Sequence, residues 1–528
     1  MVKKSQSKIP CRRFYVQIIM AVVGLIIFSI SAQSNAACPQ PRQTWFVEAG
    51  APDNGDGSKK NPLNSGQQIT DCTAAGNNIF IVPSADLLTG EIVLKPNQRL
   101  LGQGANVFNS AAESDLPRLG LQSGAGIKLA EYVTVQNLVI EEVGEPIAPF
   151  GTALVDGQLS QGGVTLKQLK VSKSQDFSGA GAINLDLDGA GTLSPITLQQ
   201  VSVETEVDFT AADISSWFGI GVRVALAGVS GACDAQTMAL TLQNVTVKNS
   251  RSSIGVFQFC SGGTDLAVNA SDVHVVNGDG DHFLLFNQGS LDADIDGYVS
   301  INEPLARDVL VQSSFSPALI AGANFGLEYF GFPSAGPSRV KVRNSSITRS
   351  TGNGVGILQF ALADPVAPTN LVLDFGCIDY DCEQRGLEES AGNNSIFDNV
   401  AGRGNPLGND YASYLLSPFG VSLLFPFPVN IDPSIANNIG NALNLYVDAP
   451  GDVQFVGQGN YWGDGISSLG TCAEIGVGFG PGGAALSQAN SGDFSANNQW
   501  NCSLWNTFTF SNFPAQPETA YGLAYNPN

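Results

Sequence analysis

The chain has 528 residues, with 25 Lys and Arg against 47 Asp and Glu, so its formal net charge is −22. Such a charge repels nucleic acid and anionic lipid, which argues against nucleic-acid binding. Glycine is abundant, at 60 residues, and charged residues make up only 14% of the chain. This composition is typical of a β-rich fold with many turns.

Residues 1–36 predict an export signal. The segment opens with five Lys and Arg, residues 14–32 are almost wholly apolar, and 34–36 form a small-x-small cleavage site. Cleavage would leave 20 basic against 47 acidic residues, a net charge of about −27. The alternative is an uncleaved anchor, because the apolar run is long for a signal. We expect an exported protein in the periplasm, on the cell surface or outside the cell, with no integral membrane domain after cleavage.

An eight-residue pattern, apolar-x-apolar-x-x-apolar-x-apolar, recurs along the chain. Clear copies occupy 133–140, 164–171, 196–203 and 240–247. Weaker copies begin at Leu266, Val340 and Leu371, and the 74 residues between the first two of these leave room for hidden copies. Alternation turns one face of a strand inward. The two consecutive polar residues then form a corner, so that the next apolar pair also faces inward, and Asn suits a corner because it tolerates the left-handed conformation.

Several copies are followed by a third apolar run, at 182–187, 220–226, 254–259 and 355–360. Three strands per turn predict an all-β fold, a right-handed, single-stranded parallel β-helix in which stacked turns bury one another's inner faces. An antiparallel sandwich or barrel also has many short strands, but it does not explain the repeated strand-corner-strand unit. We expect roughly ten turns, about 50 Å of stack, with Val133, Val164 and Ile196 in adjacent turns.

Four short sequence segments lie before, within and after the repeats. They are the turn-rich segment 51–60 followed by Asn61-Pro62, LKPNQRLLGQG at 94–104, NNSIFDN at 393–399 and GNYWG at 459–463. In this order they resemble secreted bacterial proteins of the pectate-lyase-like right-handed β-helix superfamily, over about 45 to 465. The resemblance implies the fold but no single activity, because the superfamily holds lyases, hydrolases, epimerases, adhesins and inert surface proteins.

These observations predict four regions. They are the signal at 1–36, an N-terminal cap at 37–90, the β-helix at 91–465 and a C-terminal cap at 466–528, since a solenoid needs shielded ends. Of nine cysteines, Cys11 falls in the signal. An even number in an exported chain predicts disulfides, and contacts in a solenoid are local. The predicted pairs are Cys38–Cys72, Cys233–Cys260, Cys377–Cys382 and Cys472–Cys502.

The densest acidic cluster, DADIDGYVSINE at 292–303, fits the letters of a calcium-binding EF-hand loop. Its flanks do not look helical, so we interpret it as a strand. Its outward residues are Asp292, Asp294 and Asp296, and its inward residues are Leu291, Ala293, Ile295, Val299 and Ile301. A second outward pair is Asp186 and Asp188. Carboxylates on a flat face are candidate ligands of Ca²⁺, the one candidate cofactor; the alternative is a solvated acidic face.

The sequence contains few motifs that are typical of β-helix enzymes. Pectate-lyase relatives carry Asp-His in a Trp-Ile-Asp-His phrase, but here Gly280 precedes Asp281-His282, and we predict a turn. Resemblance to the β-helix polygalacturonases would imply Asn-Thr-Asp, Asp-Asp, Gly-His-Asp and Arg-Ile-Lys phrases, and none of the four is in this sequence. A lyase needs carboxylates and a base on one face, for which Asp186, Asp188 and Arg223 are the catalytic candidates.

We therefore predict a non-catalytic extracellular or cell-surface β-helix, used for adhesion or glycan contact. Its expected partner is a polysaccharide or another host or cell-surface ligand, and its expected state is a monomer. The alternative is a polysaccharide lyase or glycoside hydrolase acting on an acidic or neutral glycan. An enzyme needs a groove walled by long loops, and the spacings after Ile196 and Leu266 are the two long enough to build one.

Overall fold

The chain is described here by a computed structural model. It describes residues 38, 41–108, 116–122, 126–144, 153–173, 181–188, 193–205, 220–226, 237–250, 252–260, 265–278, 281–302, 326–331, 337–350, 354–360, 371–378, 382–383, 387–397, 443–448, 452–463, 471–477, 485–486, 499–501 and 504–509. The predicted export signal therefore lies outside the described residues.

The described residues contain one helix, α1 (Gly66–Cys72), which is far too short to cross a bilayer. The first strands are β1 (Thr44–Val47), β2 (Asn78–Ile81), β3 (Leu88–Thr89), β4 (Ile92–Val93), β5 (Arg99–Gly102), β6 (Arg118–Leu121), β7 (Ile127–Leu129), β8 (Thr134–Glu142), β9 (Val155–Leu159), β10 (Thr165–Lys173), β11 (Ile183–Leu187), β12 (Ile196–Thr205), β13 (Ile220–Leu226), β14 (Thr237–Lys248), β15 (Ser252–Gln258), β16 (Asp265–Ser271) and β17 (His274–Val276).

The remaining strands are β18 (Phe283–Asn287), β19 (Ser290–Asp296), β20 (Val299–Ile301), β21 (Leu327–Gly331), β22 (Ser338–Arg343), β23 (Ser346–Thr348), β24 (Val355–Phe360), β25 (Leu371–Asp374), β26 (Ser395–Phe397), β27 (Leu443–Asp448), β28 (Asp452–Val456), β29 (Tyr461–Gly463), β30 (Thr471–Val477), β31 (Ala485–Leu486), β32 (Gln499–Asn501) and β33 (Leu504–Thr509).

The strands form two parallel sheets. Among the described residues, sheet I has 12 strands in the order β4-β7-β9-β11-β13-β15-β18-β21-β24-β27-β30-β33, one from each turn after that of β1. Sheet II holds the other 21 strands and bends at the predicted corner, so that β14 pairs with β16 before the bend and with β17 after it. The twelve strands of sheet I span about 50 Å along the stack. The predicted fold class, an all-β parallel β-helix, is confirmed.

The corner is a left-handed residue at the second polar position of each clear copy. Asn137, Gln168, Gln200 and Asn244 have φ angles of 57°, 53°, 54° and 51°. The bend returns the chain to the same inner face, because the apolar residues before and after it are fully buried in a single core. The N–H of Thr165 donates to the oxygen of Val133 (2.9 Å) and that of Thr197 to Val164 (2.9 Å). The three predicted neighbours therefore stack in adjacent turns.

Two weaker copies are shifted by two residues from their predicted starts. Leu240 pairs with Val268, not with Leu266, and Val340 pairs with Leu373, not with Leu371. In both turns the strand begins two residues early with an extra apolar residue, so alternation alone does not locate the corner. The predicted gap hides one copy, at 293–300, whose corner is Gly297 with a φ of 66°.

Parallel pairing extends beyond both predicted boundaries of the repeat region. β1 pairs with β2 within 37–90, and β30 pairs with β33 within 466–528. In the N-terminal part, Trp45 is fully buried and donates from Nε1 to Oδ1 of Asn77 (2.9 Å). The interior of the first turn is thus filled by the aromatic side chain of Trp45.

Two predicted disulfides are confirmed. Cys377 and Cys382 are bonded, with Cα atoms 5.9 Å apart, and Cys38 and Cys72 are also disulfide-bonded. Cys260 is disulfide-bonded as well. Its predicted partner Cys233 lies outside the described residues, as do Cys502 and the side chain of Cys472.

Candidate functional site

The acidic strand β19 lies directly beside a basic strand. In the parallel register, Asp292 is opposite Arg339, Asp294 is opposite Lys341 and Asp296 is opposite Arg343. Outward positions repeat every second residue, so three carboxylates in one turn face three cations in the next. Opposite charges at directly paired positions stabilise a sheet. The predicted outward direction of the three aspartates agrees with the described burial.

The second half of the acidic cluster was predicted in the wrong phase. Beyond Gly297, Tyr298 and Ser300 are buried, whereas Val299 and Ile301 are only half-buried. The left-handed bend at Gly297 inserts one extra residue between the two inward series, which reverses the alternation after it.

Lys341 joins carboxylates from two segments. Its Nζ lies 3.2 Å from Oδ2 of Asp294 and 2.8 Å from Oε2 of Glu388. The lysine side chain is 15% exposed, while those of Asp294 and Glu388 are 47% and 64% exposed. Burial by itself lowers the pKa of Lys341, but the hydrogen bonds and charges of Glu388 and Asp294 together raise it above its ordinary value. The hydrogen bond from Lys341, with its charge, lowers the pKa of Glu388.

A buried ion pair lies beneath this surface. Arg343 Nη2 donates to Oδ1 of Asp374 (2.6 Å), and Arg339 Nη2 lies 3.5 Å from Oδ2 of the same carboxylate. The backbone N–H of Gly376 also donates to Asp374 (3.2 Å). Because Asp374 is fully buried between two arginines, it holds β22 and β25 together below the exposed acidic side chains.

One side of the site is walled by residues 387–393. They belong to a corner insertion between Gly376 and Asn393, two residues with positive φ. Cys377 and Ser390 exchange two backbone hydrogen bonds (2.8 and 2.7 Å), and the Cys377–Cys382 disulfide closes the start of the insertion. A Cβ on Gly392 would lie 1.9 Å from the oxygen of Phe375, so only glycine fits there.

The sequence did not predict this wall, which follows the strand that contains Leu371. The loops predicted to form walls, after Ile196 and Leu266, include segments that lie outside the described residues, namely 206–219 and 303–325. The insertion lies at the corner of the last recognised copy. It therefore does not lengthen the spacing between any two recognised copies, and the spacings do not reveal it.

We call the surface between this wall and β16, β19 and β22 the corner cleft. It comprises two adjoining cavities of about 400 and 430 Å³ that share Asn269, Asp294, Lys341 and Glu388. Its other lining residues include Thr241, Ser271, Asp292, Asp296, Arg339, Arg343, Asn344, Ser390 and Asn393. Thirteen of the seventeen lining side chains can donate or accept a hydrogen bond.

The catalytic candidates lie on the outer face of sheet I instead. Arg223 contacts the carboxylate of Asp186, as predicted, and donates to Oδ1 of Asn184 (2.6 Å). Asp186 also accepts from Gln158 Nε2 (2.9 Å) and from Asn184 Nδ2 (3.1 Å). Asp188 follows the end of β11. The structure therefore brings Asp186 and Arg223 together, within a network of satisfied hydrogen bonds.

Neither group of aspartates forms a recognisable metal site. Among the described residues, no three His, Cys, Asp or Glu side chains come together as they would around a metal ion. The three aspartates of β19 stand next to cations, and Asp186 is bound by Arg223. A calcium role for either set is thus without support from the geometry.

His282 is a core residue. It is 1% exposed, its Nδ1 lies 2.6 Å from Ser300 Oγ, and its Nε2 lies 3.2 Å from the oxygen of Gly278. A carbonyl oxygen only accepts, so Nε2 carries the proton and Nδ1 accepts from the Ser300 hydroxyl. Desolvation lowers the pKa of His282 to about 4, partly offset by the Gly278 hydrogen bond.

Comparisons with known proteins do not identify a family. No family model matches the chain, and no curated protein matches it. Similar solved structures include the catalytic unit of a thermostable GH87 alpha-1,3-glucanase from Streptomyces thermodiastaticus, at 14% identity, covering 90% of this chain and 72% of that chain with a TM-score of 0.34. Another is the GH136 lacto-N-biosidase from Eubacterium ramulus, at 13% identity, covering 87% and 68%, with a TM-score of 0.32. Function must be inferred from this chain's own residues.

Proposed function

We propose that the protein is an exported, non-catalytic β-helix that contacts a glycan through the corner cleft. The observation that carries the proposal is Lys341, held between the exposed carboxylates of Asp294 and Glu388. Export is supported by the disulfides, which form and persist in oxidising compartments.

The cleft offers what a sugar needs in order to be recognised. A sugar hydroxyl both donates and accepts, as Ser and Thr hydroxyls do, so it is held best where acceptors and donors alternate. Asp294 and Glu388 are acceptors, Lys341 is a donor, and the amides of Asn269 and Asn393 are both. Stacked turns repeat these groups at about 4.8 Å along the stack, which suits a polymeric ligand with repeating hydroxyls.

The same contacts argue against Glu388 as the proton donor of a glycosidase. A glycosidase needs one carboxylic acid whose pKa is raised, so that it still carries a proton to give to the leaving group. The hydrogen bond from Lys341 lowers the pKa of Glu388 instead. A carboxylate held ionised by an adjacent ammonium binds hydroxyls but does not supply a proton.

A second candidate function is supported by the predicted contact between Asp186 and Arg223 on sheet I. A lyase acting there would use Arg223 as its base. However, its guanidinium donates to Asp186 and Asn184, which stabilises the protonated form. We therefore rank this site second, and Arg223→Lys is the variant that tests it.

Affinity electrophoresis of the mature protein in native gels tests the proposal. Neutral and uronate-containing polysaccharides are added to the gel, and reducing ends and unsaturated products are measured in parallel. We expect at least one polysaccharide to retard the protein, and we expect no products. The double variant Asn269→Ala with Glu388→Ala should weaken the affinity for that polysaccharide about tenfold or more. Asp71→Ala, at an exposed position in α1, is the matched control. Products that disappear in Arg223→Lys would favour the second candidate.

A further inference from the structure

We propose that the corner cleft selects uncharged sugar units and rejects uronates. This inference rests on the proposed function, that the cleft contacts a glycan. It adds the chemical class of the ligand, and it names the acidic side chains that set that class.

The first argument is the difference in exposure between the two charges. Asp294 and Glu388 are 47% and 64% exposed, whereas Lys341, which lies between them, is 15% exposed. An approaching ligand therefore meets carboxylate oxygens before it reaches the ammonium group. Asp292 and Asp296 are exposed as well, and they extend the same acidic surface along β19.

The second argument is the charge that remains after pairing. Among the described residues, four carboxylates line the cleft against three cations, namely Asp292, Asp294, Asp296 and Glu388 against Arg339, Lys341 and Arg343. Two of these cations, Arg339 and Arg343, also pair with the buried carboxylate of Asp374, so part of their charge is already balanced. The cleft thus keeps a negative charge, within a chain whose net charge is −22.

The third argument is that two of the three cations, Lys341 and Arg343, are not available to a uronate. The other, Arg339, is 34% exposed, lies 3.5 Å from the carboxylate of Asp374 and is opposite Asp292 in the register. Arg343 is 5% exposed, and its donors are taken by Asp374, Ser390 and the oxygen of Val342. Lys341 would have to exchange Asp294 or Glu388 for the incoming carboxylate, which would leave one of its own partners without a counter-charge. Exchanging one ion pair for another leaves the repulsion from the remaining carboxylates uncompensated.

The hydroxyls of a neutral sugar are not repelled by the carboxylates and do not need to displace a partner of Lys341. They donate to carboxylate lone pairs that Lys341 does not occupy, since each ionised carboxylate accepts at about four sites. Hydrogen bonds to an ionised group are about twice as strong as those between neutral groups. The exposed acidic side chains that repel a uronate therefore bind its neutral counterpart.

The test compares polysaccharides that share a backbone. One pair is polygalacturonate and its carboxyl-reduced product; the other is soluble β-glucan and its C6-oxidised product. At 10 mM salt, where charges act over about 30 Å, we expect the neutral member of the retarding pair to bind about tenfold more tightly than the uronate member. At 150 mM salt, where that range falls to about 8 Å, the ratio should shrink.

Variants assign the effect to the cleft. The double variant Asp292→Asn with Glu388→Gln keeps the side-chain shapes and removes two negative charges, and it should lower the neutral-to-uronate ratio about threefold or more at 10 mM salt. The matched control, Asp71→Asn with Asp86→Asn, removes the same charge from exposed positions in the first turns of the stack and should keep the wild-type ratio.

The outcomes separate the two proposals. Retardation by no probe would overturn the proposed function, and the selectivity with it. Equal or stronger binding of the uronate member at 10 mM salt would overturn the selectivity and leave the proposed function standing. A neutral preference that changes equally in the cleft variant and in the control would show that the net charge of the chain, and not the cleft, sets it.

Discussion

Arg343 and Asp374 form a buried ion pair across two turns of the helix, with Nη2 of the arginine 2.6 Å from Oδ1 of the aspartate. Arg343 is 5% exposed and Asp374 is fully buried. The arginine also donates from Nη1 to the backbone oxygen of Asp374 (2.7 Å) and from Nε to Ser390 Oγ (3.0 Å). One side chain therefore fixes the strand below the cleft and the wall beside it.

Removing one partner of this pair should be costly. Arg343→Met leaves Asp374 buried, with Arg339 at 3.5 Å as its nearest remaining cation, and should lower the free energy of unfolding by about 3–5 kcal/mol. The double variant Arg343→Met with Asp374→Leu removes both charges and should recover most of that loss. Urea unfolding of the mature protein measures both. A single variant within 1 kcal/mol of the wild type would mean that water reaches the pair.

The repeat was predictable because its determinants are local. Two polar residues between apolar pairs fix the corner wherever the second is Asn or Gln, as at Asn137 and Gln168, and both adopt the left-handed conformation. Where the strand gains an apolar residue at its start, as before Val268, the pattern has two possible registers, and only stacking on the neighbouring turn selects between them.

The corner cleft was not predictable, because it depends on which turns are neighbours. Asp294 was identified as an outward carboxylate, but its partner Lys341 belongs to a turn that the hidden copy at 293–300 places next to it. Glu388 comes from a corner insertion that has no repeat pattern of its own. One sequence signal was available, namely that Arg339, Lys341 and Arg343 alternate with the same period as the aspartates of β19.

Corner residues offer a direct test of backbone strain. Gln168 has a φ of 53°, a region that costs a residue with a Cβ about 1–2 kcal/mol. Gln168→Gly should therefore leave stability unchanged or raise it by up to about 1 kcal/mol, whereas Gln168→Val should lower it by about 1–2 kcal/mol, since branched side chains tolerate this region least. Lys167→Val, one residue earlier and also half-buried, is the control and should be nearly neutral. Equal losses for both Val variants would remove backbone strain as the cause.

The disulfide in the wall should matter for binding more than for the fold. Replacing Cys377 and Cys382 by Ser removes the bond that closes the start of the insertion, a change of about 2 kcal/mol for so short a loop. The ladder bonds of β22 and β25 do not involve the sulfurs, so the far-ultraviolet circular dichroism should remain that of the wild type. Glycan retardation should fall, because Glu388 and Ser390 lie on the released wall. Unchanged retardation would show that the backbone bonds between Cys377 and Ser390 hold the wall by themselves.

His282 predicts how stability depends on pH. Its folded pKa, about 4, lies below the unfolded value of 6.5, so between these limits the unfolded chain binds the additional proton. The contribution of His282 is therefore complete above pH 6.5 and is lost as the pH falls towards 4, by at most about 3 kcal/mol.

His282→Gln keeps hydrogen-bonding atoms but does not titrate, so the free energy of unfolding should fall less steeply between pH 6.5 and 4.5 than in the wild type. His274→Gln, at an exposed position of β17, leaves His282 in place and should keep the wild-type slope. Denaturant titrations at pH 4.5, 5.5, 6.5 and 7.5 measure the three slopes, and identical slopes for wild type and His282→Gln would mean that His282 is already protonated, or reached by water, in the folded protein.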